Sequence, residues 1–443
     1  MYKELNLSGW GQVRRGRAKV ARPERLRDIE RVFAQAGGLR ICGRGAGRSY
    51  GDCAVNTGGI LMLTDRLNRV LSFDEATGEI AVEPGVSFRQ LLEVFLPRGW
   101  LVPVSPGTGF VTIGGAVAND VHGKNHERDG SFGQHVVELD VMTPDGVLHT
   151  IGPARNPNWF RATIGGAGLT GILTRIVFRM MRVPGPCLTV NEKRIPDLDS
   201  FFAAFALAKD VQYSVGWIDA LRRGKSMGRG ILETAEPSPG TGCKPRRDGP
   251  RVFAALPNLT LNPMTIAAFN SLYFRRVPSS GRTRLRHYGD FLYPLDFIQD
   301  WNLIYGRRGF HQFQCVLPIS NGPKAISLLL EETGRSRAAS ALAVIKRMGP
   351  GRAGYLSFPM EGYTLAVDFP NSGAIESIHE KLVRIVLDHG GRIYLAKDAL
   401  LPASEFERMY PDLPKFRQAA LEMDPKGIMA SDLAQRLRIR QAA

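Results

Sequence analysis

Gly43-Arg44-Gly45-Ala46-Gly47-Arg48-Ser49-Tyr50-Gly51-Asp52 is the stretch on which the fold turns. Glycines at alternate positions let backbone N–H groups close on an anion, because no Cβ stands in the way. A diphosphate suits such a loop. Leu39 to Cys42 before it reads as a strand, and Ile60 to Asp65 after it as a second strand ending in an acid. The arrangement nearly spells a dinucleotide fingerprint, which also requires a helix opening from the glycines. Residues 48–59 are too short, too glycine-rich and too aperiodic for that helix. Nicotinamide-type binding is therefore excluded, and strand, phosphate loop, strand remains.

A second glycine region runs from Pro106-Gly107-Thr108 through Gly114-Gly115 to His122-Gly123-Lys124-Asn125-His126. Val102 to Thr108, Val111 to Ala118, Gly168 to Ile172, Val367 to Pro370 and Tyr394 to Asp398 add further motifs in a fixed order. Taken together they resemble the vanillyl-alcohol oxidase / p-cresol methylhydroxylase family of flavoproteins over nearly the whole chain. Within it, the likeness is to the branch of flavin subunits that act in 2'-epimerisation of decaprenylphosphoryl-ribose. The resemblance implies a two-domain α+β flavoprotein. It also implies FAD held by Gly43, Arg44, Gly45, Ala46, Gly47, Arg48, Ser49, Tyr50, Gly51, Asp52 and Cys53 of the first loop. Gly107, Thr112, Ile113, Gly114, Gly115, Asn119, Asp120, Val121, His122, Ile172 and Tyr394 complete that set.

One departure bears on the cofactor. Many relatives place a histidine just before the serine of the first loop and bond the flavin to it, whereas this chain has Arg48. A guanidinium neutralises diphosphate charge but forms no such bond, so noncovalent FAD is expected. A second departure is Ala366, where some relatives place a cysteine beside the flavin.

Alcohol oxidation by a flavin needs a C–H bond oriented, a hydroxyl proton removed and charge stabilised as the hydride leaves. Lys397 matches the family lysine set between flavin and substrate, and His122 beside Gly123 can orient substrate or accept a proton. Tyr50 completes the catalytic set. Lys124 and Asn125 are candidates for substrate contact. Gln312 and Gln314, alternating on one strand, put two amides on one face and suit sugar hydroxyls. Trp217 either stacks on a sugar or fills the core. The histidines are dispersed, so no metal site is expected.

The 443 residues exceed one ordinary core, and two domains are expected. A cofactor domain is assigned to residues 1–183 and a substrate domain to 184–391, with a mobile, low-order segment near 222–286. Residues 392–443 are assigned to a C-terminal return to the cofactor domain. Helices are expected from Pro23 to Ala36 and from Ser87 to Leu96. Cys42, Cys53, Cys187, Cys243 and Cys315 are odd in number and scattered, which argues against a disulfide framework and for a reduced compartment. The first residues lack a secretory apolar core and nothing reads as a spanning helix, so a cytoplasmic, peripheral protein at the inner membrane is expected.

The net charge of +16 points to an anionic partner. The basic runs lie outside any nucleic-acid-binding pattern, so an anionic membrane surface is expected and nucleic acid is not. Residues 252–274 carry no charge and lie between basic clusters, as an interfacial lid would. By resemblance, the substrate is a polyprenyl-phosphoryl pentose oxidised at its 2'-hydroxyl to the 2'-keto sugar. An NAD(P)H-dependent short-chain reductase would then complete formation of the arabinose lipid of the cell envelope. An FAD-dependent polyol or aldonolactone oxidase and a non-catalytic basic lipid-binding protein are the competing readings.

Overall fold

The computed structural model describes residues 2–246, 249–257, 261–338 and 340–440. The strands Ile41–Arg44 and Ile60–Leu63 pair in parallel, and the residues between them form turns without a helix. Arg15–Ala21 pairs in parallel on the far side of Ile60–Leu63, and Lys3–Ser8 closes this four-stranded sheet as an antiparallel edge. Helix Leu26–Ala34 lays Ile29, Val32 and Phe33 against Ile41, Ile60 and Met62, an apolar stripe at helical spacing.

A second sheet is antiparallel, in the order Val70–Phe73, Glu79–Val82, Ile172–Arg179, Val136–Met142, Leu148–Ile151. Helix Phe88–Phe95 packs on it, started by Ser87 and Gln90 in a capping box. The short helix Ile113–Ala118 is started by Thr112, whose hydroxyl accepts from Gly115 N–H at 3.3 Å. These two sheets form the cofactor half of an α+β flavoenzyme.

The other half is built on an eight-stranded antiparallel sheet. Its order is Arg282–His287, Cys187–Ile195, Gly230–Ser238, Tyr213–Ile218, Ala343–Met348, Gly362–Pro370, Phe310–Pro318, Arg392–Ile393. Alternation along each strand divides its residues between two faces. Phe313, Cys315, Leu317, Ile345, Leu365 and Val367 face helices Leu198–Leu207, Gly322–Ser336 and Ile375–Asp388 in the largest core cluster. Their neighbours Gln312, Gln314, Val344, Lys346, Thr364 and Ala366 face the cofactor half.

Several elements differ from the reading of the sequence. The span 222–286 is not low-order: it holds strand Gly230–Ser238, helix Pro263–Arg275 and strand Arg282–His287. Proline is compatible with the first turn of that helix, where its missing N–H has no partner in any case, and Asn262 caps it. Part of the expected lid, residues 258–260, lies outside the described residues. The final stretch begins on the large sheet, where Arg392–Ile393 pairs with Cys315 and Val316. It then crosses back, with Met429 bridging Ile41 and Arg436 paired to Asp52 at 2.8 Å.

The absence of disulfides is also overturned, because Cys187 and Cys243 are bonded. Cys187 is in register with Ser238 on the neighbouring strand, so the chain leaving that strand passes Cys187 five residues later. Scatter in sequence said nothing about this meeting in space. Cys42, Cys53 and Cys315 are free and buried. A disulfide persists in an oxidising environment, which removes the ground for a reduced compartment.

Candidate active site

One cavity of about 1000 Å³ lies between the glycine loops and the inner face of the large sheet. Its cofactor wall is residues 43–50, with Gly107, Thr112, Gly114, Gly115, Asn119, Gly168 and Ile172 opposite. The loop is held in shape by Arg44, which donates to Ala54 O at 2.7 Å and Ser8 O at 2.8 Å. At Gly45 an added Cβ would stand 2.2 Å from Thr112 Oγ1, so only glycine lets the two loops meet. Arg48 lies over the rings of Trp10 (4.1 Å) and Phe110 (4.9 Å), and its buried Nε has no partner. An anion-accepting backbone cradle, an orphaned buried guanidinium N–H and a long cavity fit FAD.

At the cavity's other wall, Lys397 follows the edge strand in a tight turn, with its ammonium 3.4 Å from the Tyr50 ring centroid. Burial pushes its amine down to about 7, the nearby Asp368 opposing and Lys346 adding to the shift. Asp368 is itself pushed up to about 7 by burial, although Gln312 Nε2 donates to it at 2.6 Å and Tyr305 Oη at 3.0 Å. His122 is held well below the usual histidine range by burial and by Lys346, and is neutral. The Gln314 amide lies 3.0 Å from His122 Nε2 and 3.4 Å from Thr364 Oγ1. With Gln314 donating, Nε2 accepts and the ring proton sits on Nδ1, buried without a partner. Tyr394 stacks on Phe358 and donates to Asn119 O at 3.2 Å, closing the site beneath His122.

The structure thus brings together Tyr50, His122, Lys124, Trp217, Gln312, Gln314, Tyr394 and Lys397, with Cys53 and Val121, around one cavity. Five expected site residues are turned away from it. Asp52 is engaged by Arg436, and a Cβ on Gly51 would collide with Asp398 O at 1.7 Å. Ile113 is fully buried in the apolar core of the cofactor half. Asp120 accepts from Ser131 Oγ, Gly133 N and Ala353 N and ties three segments. Asn125 donates to Pro103 O at 2.7 Å and Asp129 at 2.6 Å. Their motif neighbours meet the cavity, and these five residues hold the motifs in place.

Lys346, Thr364, Glu233, Arg276, Arg284 and Arg286 line the same cavity and escaped the sequence reading. Alternation could have found Lys346, because it shares a strand face with Val344, opposite the buried Ala343 and Ile345.

Two family models match the chain: an FAD binding domain over residues 18–152 and a D-arabinono-1,4-lactone oxidase model over residues 307–437. Decaprenylphosphoryl-β-D-ribose oxidase of Mycolicibacterium smegmatis is 35% identical over 449 residues, covering 98% of this chain and 97% of that protein. The chain belongs to the decaprenylphosphoryl-β-D-ribose oxidase family. A Streptomyces coelicolor relative, an uncharacterised protein in the mprA 5' region, is 30% identical over 80% of this chain and all of its own length. A putative D-arabinono-1,4-lactone oxidase of Neurospora crassa is 28% identical, but over 35% of this chain and 28% of its own. Members of the family sharing this architecture are FAD-dependent oxidoreductases, and so is this protein. Among the described residues no helix is long and apolar enough to cross a membrane.

Proposed function

We propose that the protein oxidises the 2'-hydroxyl of a polyprenyl-phosphoryl ribose to the 2'-keto sugar, the first half of epimerisation to the arabinose lipid. The observation that carries this reading is the joint placement of Lys397, His122, Gln312 and Gln314 on a cavity continuous with the cofactor cradle. FAD, when bound, supplies the acceptor for the carbinol hydride. Gln312 and the Nδ1–H of His122 offer hydrogen bonds to sugar oxygens. Lys397, its amine near 7, is partly neutral at physiological pH and takes the hydroxyl proton at Nζ. Once protonated, it holds positive charge beside the site where negative charge gathers. Arg48 leaves the cofactor noncovalent. The product ketone requires a hydride donor to complete epimerisation, which is the role of a separate NAD(P)H-dependent reductase.

Mixing the FAD-loaded protein anaerobically with a synthetic polyprenyl-phosphoryl ribose should bleach the flavin absorbance. Bleaching by D-arabinono-1,4-lactone and not by the lipid-linked sugar would instead establish the lactone oxidase reading, to which the match over residues 307–437 gives some weight. An unbleached but lipid-binding protein would fit the non-catalytic alternative.

A peripheral contact with anionic membrane belongs to the same reading. Helix Pro263–Arg275 is anchored by Ile266 and by Asn270, which donates to Asp219 at 2.7 Å. Its other side shows Met264 (83% exposed) and Leu272 (73%), with Phe253 (87%) nearby in sequence. Exposed apolar groups among arginines suit a headgroup boundary. Met264→Asp together with Leu272→Asp should release the protein from phosphatidylglycerol vesicles in co-sedimentation while leaving its flavin spectrum intact. Unchanged sedimentation would refute the contact.

A further inference from the structure

The cavity extends from the cofactor loops past Val215 and Trp217 to Ile231 and Glu233, with Tyr273, Arg276, Arg284 and Arg286 also among its walls. Glu233 stands opposite Glu192 in the register of strands Gly230–Ser238 and Cys187–Ile195. Two carboxylates so placed repel unless cations intervene. Arg276 spans them, with Nη1 at 2.9 Å from Glu192 and Nη2 at 3.0 Å from Glu233. Arg282 and Arg284 also pair with Glu192 at 2.6 Å and 3.0 Å, and Arg286 pairs with Glu233 at 3.2 Å. Lys124 adds an ammonium that donates to Phe291 O, lies 4.2 Å from the Phe291 ring centroid and feels both Glu233 and Arg286.

Arg276, Arg282, Arg284 and Arg286 thus bring four positive charges to two carboxylates, and Lys124 adds a fifth when protonated. Arg282 also donates through Nε to Glu192 at 2.7 Å, whereas the ion pairs of Arg276, Arg284 and Arg286 occupy terminal guanidinium nitrogens. The Nε–H groups of Arg276, Arg284 and Arg286 are buried and have no partner. A structural ion-pair network that closed on itself would leave neither surplus charge nor orphaned donors. Burial also drives the Lys124 amine down to about 7, an energetic cost that a bound anion would offset.

We propose that Lys124, Arg276, Arg284 and Arg286 form a phosphoryl subsite, distinct from the glycine cradle, that holds the phosphodiester linking sugar to polyprenyl chain. The ligand's identity rests on the function proposed above; the anion site rests on the charges and donors. Lys124 is two residues beyond His122 in one loop. A sugar resting against His122 and Gln314 therefore presents its anomeric phosphate to Lys124 and then to the guanidiniums, whose forked donors match phosphate oxygens. The subsite would select against neutral sugars, because those leave the surplus charge buried and uncompensated.

The test uses FAD-loaded protein titrated calorimetrically with farnesyl phosphate, with farnesol and with inorganic phosphate. Farnesyl phosphate should bind at least tenfold more tightly than farnesol. Lys124→Gln and the charge-balanced pair Arg286→Gln with Glu233→Gln should each weaken farnesyl phosphate about tenfold or more and leave farnesol unchanged. Equal loss for farnesol, or no loss for either ligand, overturns the subsite. Inorganic phosphate that competes with farnesyl phosphate supports it. Variants that lose only binding to phosphatidylglycerol vesicles overturn it in favour of a headgroup contact. If the wild type binds farnesyl phosphate in this way yet is not bleached by the ribose lipid, the oxidase reading fails while the anion site stands. If bleaching occurs with an apparent affinity that the variants do not change, the subsite fails alone.

Discussion

Lys397 was legible as a motif residue, but its chemistry was not. Sequence shows a lysine after a short apolar run; the fold shows it seated on Tyr50 with Asp368 and Lys346 in its field. Those neighbours bring its amine close to neutrality and let one group serve as proton acceptor and then as cation. Lys397→Met should therefore leave FAD bound and slow flavin reduction by about a hundredfold, the usual loss for one preorganised charge at a reacting centre. Lys397→Arg retains charge without a readily lost proton, so it too should keep FAD bound without restoring the rate. Stopped-flow reduction near wild-type speed in the methionine variant would remove Lys397 from the mechanism. Arg48 carries a separate expectation. Acid precipitation should release all of the yellow colour into the supernatant, and a yellow pellet would contradict noncovalent binding.

At the level of elements, the glycine loops, the missing helix and the strands around them could be read because each depends on local chemistry. Gly47 takes a positive φ of 66° within its own turn, and Ser87 caps its own helix. The cationic cluster was invisible because its members come from residues 124, 276, 284 and 286, which only the eight-stranded sheet brings together. In sequence, alternating arginines over 282–286 look like the solvated side of an edge strand. The Cys187–Cys243 bond was missed for the same reason. It closes a span of 56 residues that includes the neighbouring strand, a reach that chain-entropy arguments value at about 4 kcal/mol. Cys243→Ser should lower the urea midpoint of the oxidised protein, and adding reductant to the variant should cause no further loss. Intact mass under non-reducing denaturation should show two hydrogens fewer than the reduced chain. A fully reduced mass, or equal midpoints, would show that the bond contributes nothing.

At the scale of the whole molecule, the two halves trap amines where neither half would alone. Lys124 and Lys397 are pushed to about 7 and Lys346 to about 8, all chiefly by desolvation. Each is depressed from an ordinary value near 10.5. Between roughly pH 7 and 10 the unfolded chain keeps a proton on each of these lysines that the folded protein has released. The unfolded state then binds more protons, so folding stability must rise with pH across that window, by up to about 1.4 kcal/mol per pH unit for each amine. Below pH 7 the amines are protonated in both states, and their full burial cost remains. Asp368 acts in the opposite sense at lower pH: raised to about 7, it makes stability fall as pH rises from about 4 to 7. A stability minimum near neutrality is expected for the FAD-free chain, deepest where the two trends meet. Relief of net positive charge would also raise stability with pH, but salt screens surface repulsion and leaves buried amines nearly untouched. Urea unfolding at pH 7 and 9 in 0.5 M NaCl separates the two. The rise should persist in salt and shrink in Lys346→Met; a rise abolished by salt, or unchanged in that variant, would assign it to the surface.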